Sequence, residues 1–125
     1  MEISAYKTDD EKDVLTAIKQ DPNWDIFTNI NARDSYKSSL INSVTYVCRH
    51  NAEFAGYIRA VLDKNIAIYI SELYVVPRWR NKNVARNLLA KVKADFSELP
   101  VYVLSDEDAY YEKLNCKKAG SVFQL

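Results

Sequence analysis

Six basic residues, Arg78, Arg80, Lys82, Arg86, Lys91 and Lys93, fall between Glu72 and Asp95, an interval that contains no carboxylate. The chain carries 17 Lys and Arg against 17 Asp and Glu, so this positive charge is local and its natural partner is a small anion. The cluster lies where a strand pattern gives way to a helical one. Ile66 to Val76 is crowded with β-branched and aromatic residues, as a half-buried pleated surface prefers. Pro77 has no N–H and ends the ladder. Val84, Leu88, Leu89, Val92 and Phe96 then recur at a helical period. A strand that delivers a basic turn to a helix N-terminus is suited to phosphate. The first N–H groups of a helix lack acceptors, and its dipole adds partial positive charge.

Other chemistries find little support. With 125 residues the chain is long enough for one domain with a real core, spanning 1–125, and too short for two. A net charge of zero argues against a nucleic-acid binder, whose affinity rests on a broad basic surface. Cys48, Cys116 and the single histidine, His50, do not make a metal site or a disulfide framework. Free thiols are expected, with Cys48 in the core. The placing of the one histidine, His50, in an apparent hairpin turn argues against a Ser-His or Cys-His nucleophile. No apolar run reaches membrane-spanning length and Met1-Glu2-Ile3-Ser4 does not open a signal peptide, so no membrane association and a cytoplasmic location are expected. Gly56 and Gly120 are the only glycines, which excludes an ordinary glycine-rich nucleotide loop.

The elements that must position the basic turn read as follows. Glu2 to Tyr6 is a short strand. Thr8 with Glu11 forms a capping box for a helix whose apolar face is Val14, Leu15 and Ile18, ending before Pro22. Ile26, Phe27 and Ile30 suggest a helical turn, and Tyr36, Leu40 and Ile41 a second short helix. Val44 to Arg49, Ala55 to Leu62 and the Ile66 strand form an antiparallel meander joined by turns at His50–Glu53 and Asp63–Asn65. Val101 to Leu104 follows a crossover helix and so runs parallel to the Ile66 strand. A last helix opens at Ser105 with Asp106, Glu107 and Asp108, and a final strand lies near Ser121 to Leu125.

This order, with two motifs, resembles the GNAT superfamily of N-acetyltransferases. The first motif is Glu72-Leu73-Tyr74-Val75-Val76-Pro77-Arg78-Trp79-Arg80-Asn81-Lys82-Asn83-Val84-Ala85 followed by Leu88-Leu89. It is similar to the family's acetyl-CoA segment, an apolar strand ending in Val-x-Pro, then Arg/Gln-x-x-Gly-x-Gly/Ala. The second, Ala109-Tyr110-Tyr111-Glu112-Lys113-Leu114-Asn115-Cys116, is similar to the late-helix signature Phe-Tyr-Glu-Lys-Leu-Gly-Phe. The fold implied is an α/β (α+β) GNAT-like acyl-CoA N-acyltransferase fold, with a mixed, mostly antiparallel sheet flanked by helices.

The resemblance implies acetyl-CoA as acyl donor, no metal, and a primary amine on a small molecule or a protein as acceptor. Leu73, Tyr74 and Val75 match strand positions that pair with the pantetheine arm, where the strands carrying Val75 and Val101 splay apart. Asn81, Lys82, Asn83, Val84, Ala85 and Arg86 match the pyrophosphate loop, and Arg80 takes the family's Arg/Gln position. Tyr111 matches the tyrosine that protonates the departing thiolate. Glu72, just upstream among apolar neighbours, is the candidate base, since burial there would raise its proton affinity; the opposing reading has it facing solvent or paired with a nearby Lys or Arg. Trp24, Phe27 and Tyr36 fall where the family builds its acceptor site, with Asp21 and Asp25 able to draw a cationic amine. The alternative for these residues is a loosely packed helix pair with a solvated rim. Asn83 stands where the family has glycine. Asparagine tolerates the left-handed region, but as an N-cap its side chain would compete for the same amides. Family members often dimerise through C-terminal strands, so a homodimer is allowed. A different class of reading is a non-catalytic regulator, or a CoA-binding interaction module, that keeps the fold without turnover.

Overall fold

The meander expected around the Ile66 strand is present in the computed structural model, which describes residues 1–125. Strands β1 (Glu2–Ala5), β2 (Val44–His50), β3 (Glu53–Asp63), β4 (Ala67–Val75) and β5 (Val101–Val103) form one sheet in chain order. The first three pairings are antiparallel. The β4–β5 pairing is parallel, because the helix α4 (Val84–Asp95) carries the chain back across the sheet. The hairpin between β2 and β3 turns on Asn51 and Ala52, both with positive φ.

Alternation along the strands feeds two cores, one on each face. On one face Ile58, Ala60, Ile68 and Ile70 pack beneath Val84, Leu88 and Val92 of α4. On the other, Val47, Tyr57 and Tyr74 meet Val14 and Ile18 of α1 (Glu11–Lys19) and Tyr36 and Leu40 of α3 (Arg33–Asn42). A short helix, α2 (Asp25–Thr28), links α1 to α3, and α5 (Asp108–Lys113) follows β5.

Two irregularities shape the sheet. In β3, Ala55 is an extra residue between the pairs Cys48–Gly56 and Arg49–Phe54. In β4, Ser71 is an extra residue between the pairs Ala60–Ile70 and Arg59–Glu72. A bulge bends its strand and, because the side-chain period is two, reverses which residues face which side. Ile68 and Ile70 therefore face α4, whereas Glu72 and Tyr74 face α1 and α3.

Several local expectations are corrected. The Thr8–Glu11 box is absent as such: the chain enters α1 through a 3-10 turn at Thr8–Asp10, and Asp10 Oδ2 accepts the Lys7 N–H at 2.9 Å. Ile26 and Ile30 do not join Phe27 in an apolar face; they are 69% and 81% exposed. The last helix starts at Asp108 and not Ser105, although Ser105 Oγ turns the chain by accepting the Glu107 N–H. The strand near Ser121 to Leu125 is not formed, and Val122 and Phe123 are exposed. The tail makes no ladder with β5, which has only three residues; a strand without a paired neighbour gains neither hydrogen bonds nor a buried face.

Candidate active site

Beyond Ile70 the two parallel strands part. The last bond between them runs from the Leu104 N–H to the Ile70 carbonyl at 2.9 Å, immediately before the Ser71 bulge. The bend carries β4 away from the chain leaving β5 and opens a cavity of about 310 Å³. Ser71, Glu72 and Leu73 form one wall and Leu104, Ser105 and Asp106 the other. Trp24 and Phe27 close it from the α1–α2 side, and Tyr111 of α5 completes it. No lysine, arginine or histidine lines this cavity.

Glu72 is 5% exposed and sits in a hydrogen-bonded cage. Arg59, its register partner on β3, grips it with both arms of the guanidinium: Nε reaches Oε1 at 2.6 Å and Nη2 reaches Oε2 at 2.7 Å. The Tyr36 hydroxyl also donates to Oε1, at 2.7 Å. Having spent its one proton there, Tyr36 must accept from the Tyr57 hydroxyl 2.5 Å away. Burial pushes the proton affinity of both phenols well above the ordinary tyrosine value, so both remain donors. Between the two readings of Glu72 the structure has the ion pair, so burial without a charged partner, the reason for expecting a base at this position, does not hold. What remains for a base role is its place in the cavity wall.

Tyr111 is half-buried, and its pKa is pushed up to about 12 by desolvation and by the Asp106 carboxylate. Its proton is therefore in place at neutral pH. Trp24 stacks edge-on against Tyr74 with centroids 5.1 Å apart, and Phe27 lies 4.6 Å from Tyr36. These rings pack together and also wall the cavity, so they are neither a loose helix pair nor free-standing binding groups. Asp21 is tied to the Asn23 N–H at 3.0 Å. Asp21, Asp25 and Asp106 belong to none of the ion pairs of the fold.

At the other end of β4 the chain passes Pro77 into a short turn and then into α4. None of the N–H groups from Asn81 to Arg86 donates within the protein. Asn81 (φ 61°) and Asn83 (φ 66°) both adopt the left-handed region, the conformation for which glycine is usually chosen. The competing role for Asn83 is not taken up: its side chain makes no capping bond. The loop thus offers a run of bare amides at the mouth of a twelve-residue helix, flanked by exposed Lys82 and Arg86. These residues fit a diphosphate.

The strand between loop and cavity is also available. Val76 N–H donates to Ala55 on β3 at 2.9 Å. By antiparallel alternation the polar groups of Val75 then point to the opposite edge. There the Val75 carbonyl accepts from Arg80 Nε at 3.1 Å, and the Arg80 guanidinium lies 5.9 Å from the Tyr74 ring centre. Arg80 accordingly folds back onto β4 and would have to release Val75 to reach a phosphate.

Three features escaped the sequence reading: the Ser71 bulge, Arg59, and the Leu104–Asp106 wall. A signal for Arg59 was present. One cation in an apolar strand and one carboxylate in the next strand of the same hairpin are expected to pair across the ladder.

A family model described as an acetyltransferase (GNAT) domain matches residues 9–123. Among curated proteins none matches the sequence. Among solved structures, a transcriptional regulator from Bacillus halodurans C-125 superposes with a TM-score of 0.78 at 13% identity, covering 99% of this chain and 97% of its own. A GNAT-family acetyltransferase from Streptococcus pneumoniae TIGR4 gives 0.73 at 18%, covering 99% and 97%. AAC(6')-Iy, solved with the bisubstrate analogue CoA-S-monomethyl-acetylneamine, gives 0.75 at 13%, covering 99% and 95%.

Proposed function

Because this chain belongs to the GNAT acetyltransferase family, we propose that it moves the acetyl group of acetyl-CoA to a primary amine by direct attack, with no covalent enzyme intermediate. The observation that carries this reading is the opening beside Ser71, where Glu72 and Tyr111 line one cavity on the strand that leads to the free amides of Asn81 to Arg86. Acetyl-CoA, when bound, supplies a thioester whose acyl carbon the amine attacks and whose thiol departs. The Asn81–Arg86 amides hold its diphosphate, and backbone groups of Leu73, Tyr74 and Val75 hold the pantetheine arm.

An amine is protonated at neutral pH and must lose its proton to attack. Glu72 accepts that proton directly or through water. The outward N–H near Val75 meets the negative charge that develops on the acyl oxygen. Tyr111 delivers its proton toward the leaving sulfur. The acceptor is a cation on arrival and narrow where it reacts. The cavity is at the small end for a ligand site, and its only charged lining groups are carboxylates.

Calorimetry with acetyl-CoA tests the cofactor half of this reading, and thiol release with a panel of amines tests the transfer. Saturable acetyl-CoA binding by the parent protein is expected, weakened about tenfold in Arg80→Ala as one charge-assisted contact is lost. If Arg80 serves only to hold the Val75 carbonyl, the same variant binds as well as the parent or better. A parent protein that takes up no acetyl-CoA ends the proposal.

A further inference from the structure

We infer that Arg59 is the positioning residue of the transfer: it selects the single Glu72 lone pair that meets the acceptor, and it pins the bulge that opens the cavity. The inference rests on the acyl-transfer reading above. Its basis is a count of hydrogen bonds. Glu72 Oε1 already receives two donors, Tyr36 O–H and Arg59 Nε–H, and has no capacity left. Oε2 receives only Arg59 Nη2 and keeps one acceptor position. Glu72 is among the residues lining the cavity, and Oε2 is its only carboxylate oxygen with a position left for an amine or a water.

The same guanidinium holds the backbone that presents Glu72. Arg59 Nη2 also donates to Oγ of Ser71, the bulge residue, at 3.1 Å, and Nη1 donates to Ser43 Oγ at 3.0 Å. The ring of Tyr36 lies 5.5 Å from the guanidinium carbon and limits its tilt. Four of five donors are thereby committed, to three residues in three directions. A lysine supplies the charge but not the planar fork.

The inference is separable from a role in folding through the pH profile. The groups that face Glu72 are Arg59 and Tyr57 on β3, Tyr36 on α3, and Asp106 and Tyr111 across the cavity. Arg59 is the only cation among them. An adjacent positive charge favours the ionised carboxylate, so its removal shifts the acid limb of the rate profile to higher pH. A variant that merely folds less well loses amplitude at every pH and leaves the limb in place.

The experiment compares the parent with Arg59→Lys, Arg59→Gln and Tyr36→Phe, measuring thiol release from acetyl-CoA against pH and acetyl-CoA binding by calorimetry. For Arg59→Lys, kcat is expected to fall about tenfold or more with the acid limb nearly unmoved, since charge stays and aim is lost. For Arg59→Gln the limb moves to higher pH. Tyr36→Phe conserves the fold most closely and frees one acceptor position on Oε1; kcat should fall several-fold, and because a donor to the carboxylate is lost, any movement of the limb is also to higher pH. An active parent whose Arg59→Lys and Tyr36→Phe variants retain its kcat overturns the inference alone. So does an Arg59→Gln loss that tracks melting temperature at an unshifted limb. A parent that releases no thiol with any amine in the panel overturns the acyl-transfer reading, and the inference with it.

Discussion

Gly56 offers a test in which the sign of the effect, and not only its size, is decided by the structure. It pairs with Val75 near the end of β4, opposite Cys48 and next to the Ala55 bulge. No glycine in the chain has a positive φ, so no conformational demand excludes a side chain here. On backbone entropy alone, Gly→Ala at such a position stabilises by about 0.4–1 kcal/mol, because the unfolded chain has fewer states to lose. Space gives the opposite answer. A Cβ on Gly56 would lie 2.4 Å from the Tyr74 carbonyl oxygen, 3.2 Å from Val75 Cα and 3.3 Å from Val84 Cγ1. Two of the three are backbone atoms, which cannot rotate away. Restoring ordinary contact requires a displacement of about 1 Å in a packed region, a distortion that costs about 1–3 kcal/mol net. For a domain of this size that corresponds to a melting temperature lower by about 5–15 °C. Thermal unfolding followed by circular dichroism reads this directly. Gly120→Ala, where a Cβ has no neighbour within 4 Å, serves as the control and should leave the transition nearly unmoved. Because Val75 and Val84 belong to the strand and helix of the proposed cofactor segment, Gly56→Ala should also weaken acetyl-CoA binding. A Gly56→Ala protein as stable as the parent, or more so, would refute the claim that close approach of β3, β4 and α4 dictates this glycine.

Two further outcomes follow from the site. Tyr111→Phe should lower kcat about 10²-fold, the lower range for loss of a general acid, with acetyl-CoA affinity nearly unchanged; single-turnover kinetics beside calorimetry separates the two. Since the Tyr111 proton is lost only as pH rises through about 12, any basic limb in the parent below pH 11 comes from another group and must persist in the phenylalanine variant. Asn83→Ala should cost about 1–2 kcal/mol, because alanine pays the full steric penalty of the left-handed conformation, whereas Asn83→Gly should fold at least as well. A melting curve for Asn83→Ala that overlays the parent's contradicts the left-handed assignment.

Element order was legible because proline and periodicity punctuate the chain. Pro22 and Pro77 each open a 3-10 turn just past a longer element and Pro100 lies between α4 and β5, and the shift from the Ile66 run to Val84, Leu88 and Val92 marks the change of period. The parallel setting of β5 followed from chirality alone. The basic loop was also legible, and so was the tolerance of asparagine where glycine is usual; Asn81 and Asn83 are both left-handed. What was not legible depends on tertiary partners. Val122, Phe123 and Leu125 have strand-like composition, yet β5 offers an edge only three residues long. Ile26 and Ile30 have the spacing of a helix face, but at the end of α2 Asn29 Nδ2 donates to the Asp25 carbonyl while its Oδ1 accepts the Asn31 and Ala32 N–H groups, which turns the chain after Thr28. Arg59 was passed over because a cation inside Tyr57-Ile58-Arg59-Ala60 has meaning only once its neighbour across the ladder is known.

The bulge at Ser71 joins these strands of argument. Read by simple alternation, Ile68, Ile70, Glu72 and Tyr74 share one face, and that face is the apolar cluster under Leu88 and Val92. A carboxylate turned to that face would leave Arg59 and Tyr36 behind, and an unpaired buried charge is far more costly than a local distortion. One extra residue in β4 removes the conflict by turning Glu72 to the side that supplies Arg59, Tyr36 and, through Tyr36, Tyr57. The same residue bends β4 off β5 where their last hydrogen bond ends, and so creates the cavity that Glu72 lines. Carboxylate and cavity thus have one cause. A chain that kept Glu72 but lost the extra residue would lose both together, which makes the register of β4, more than any single side chain, the feature on which the site depends.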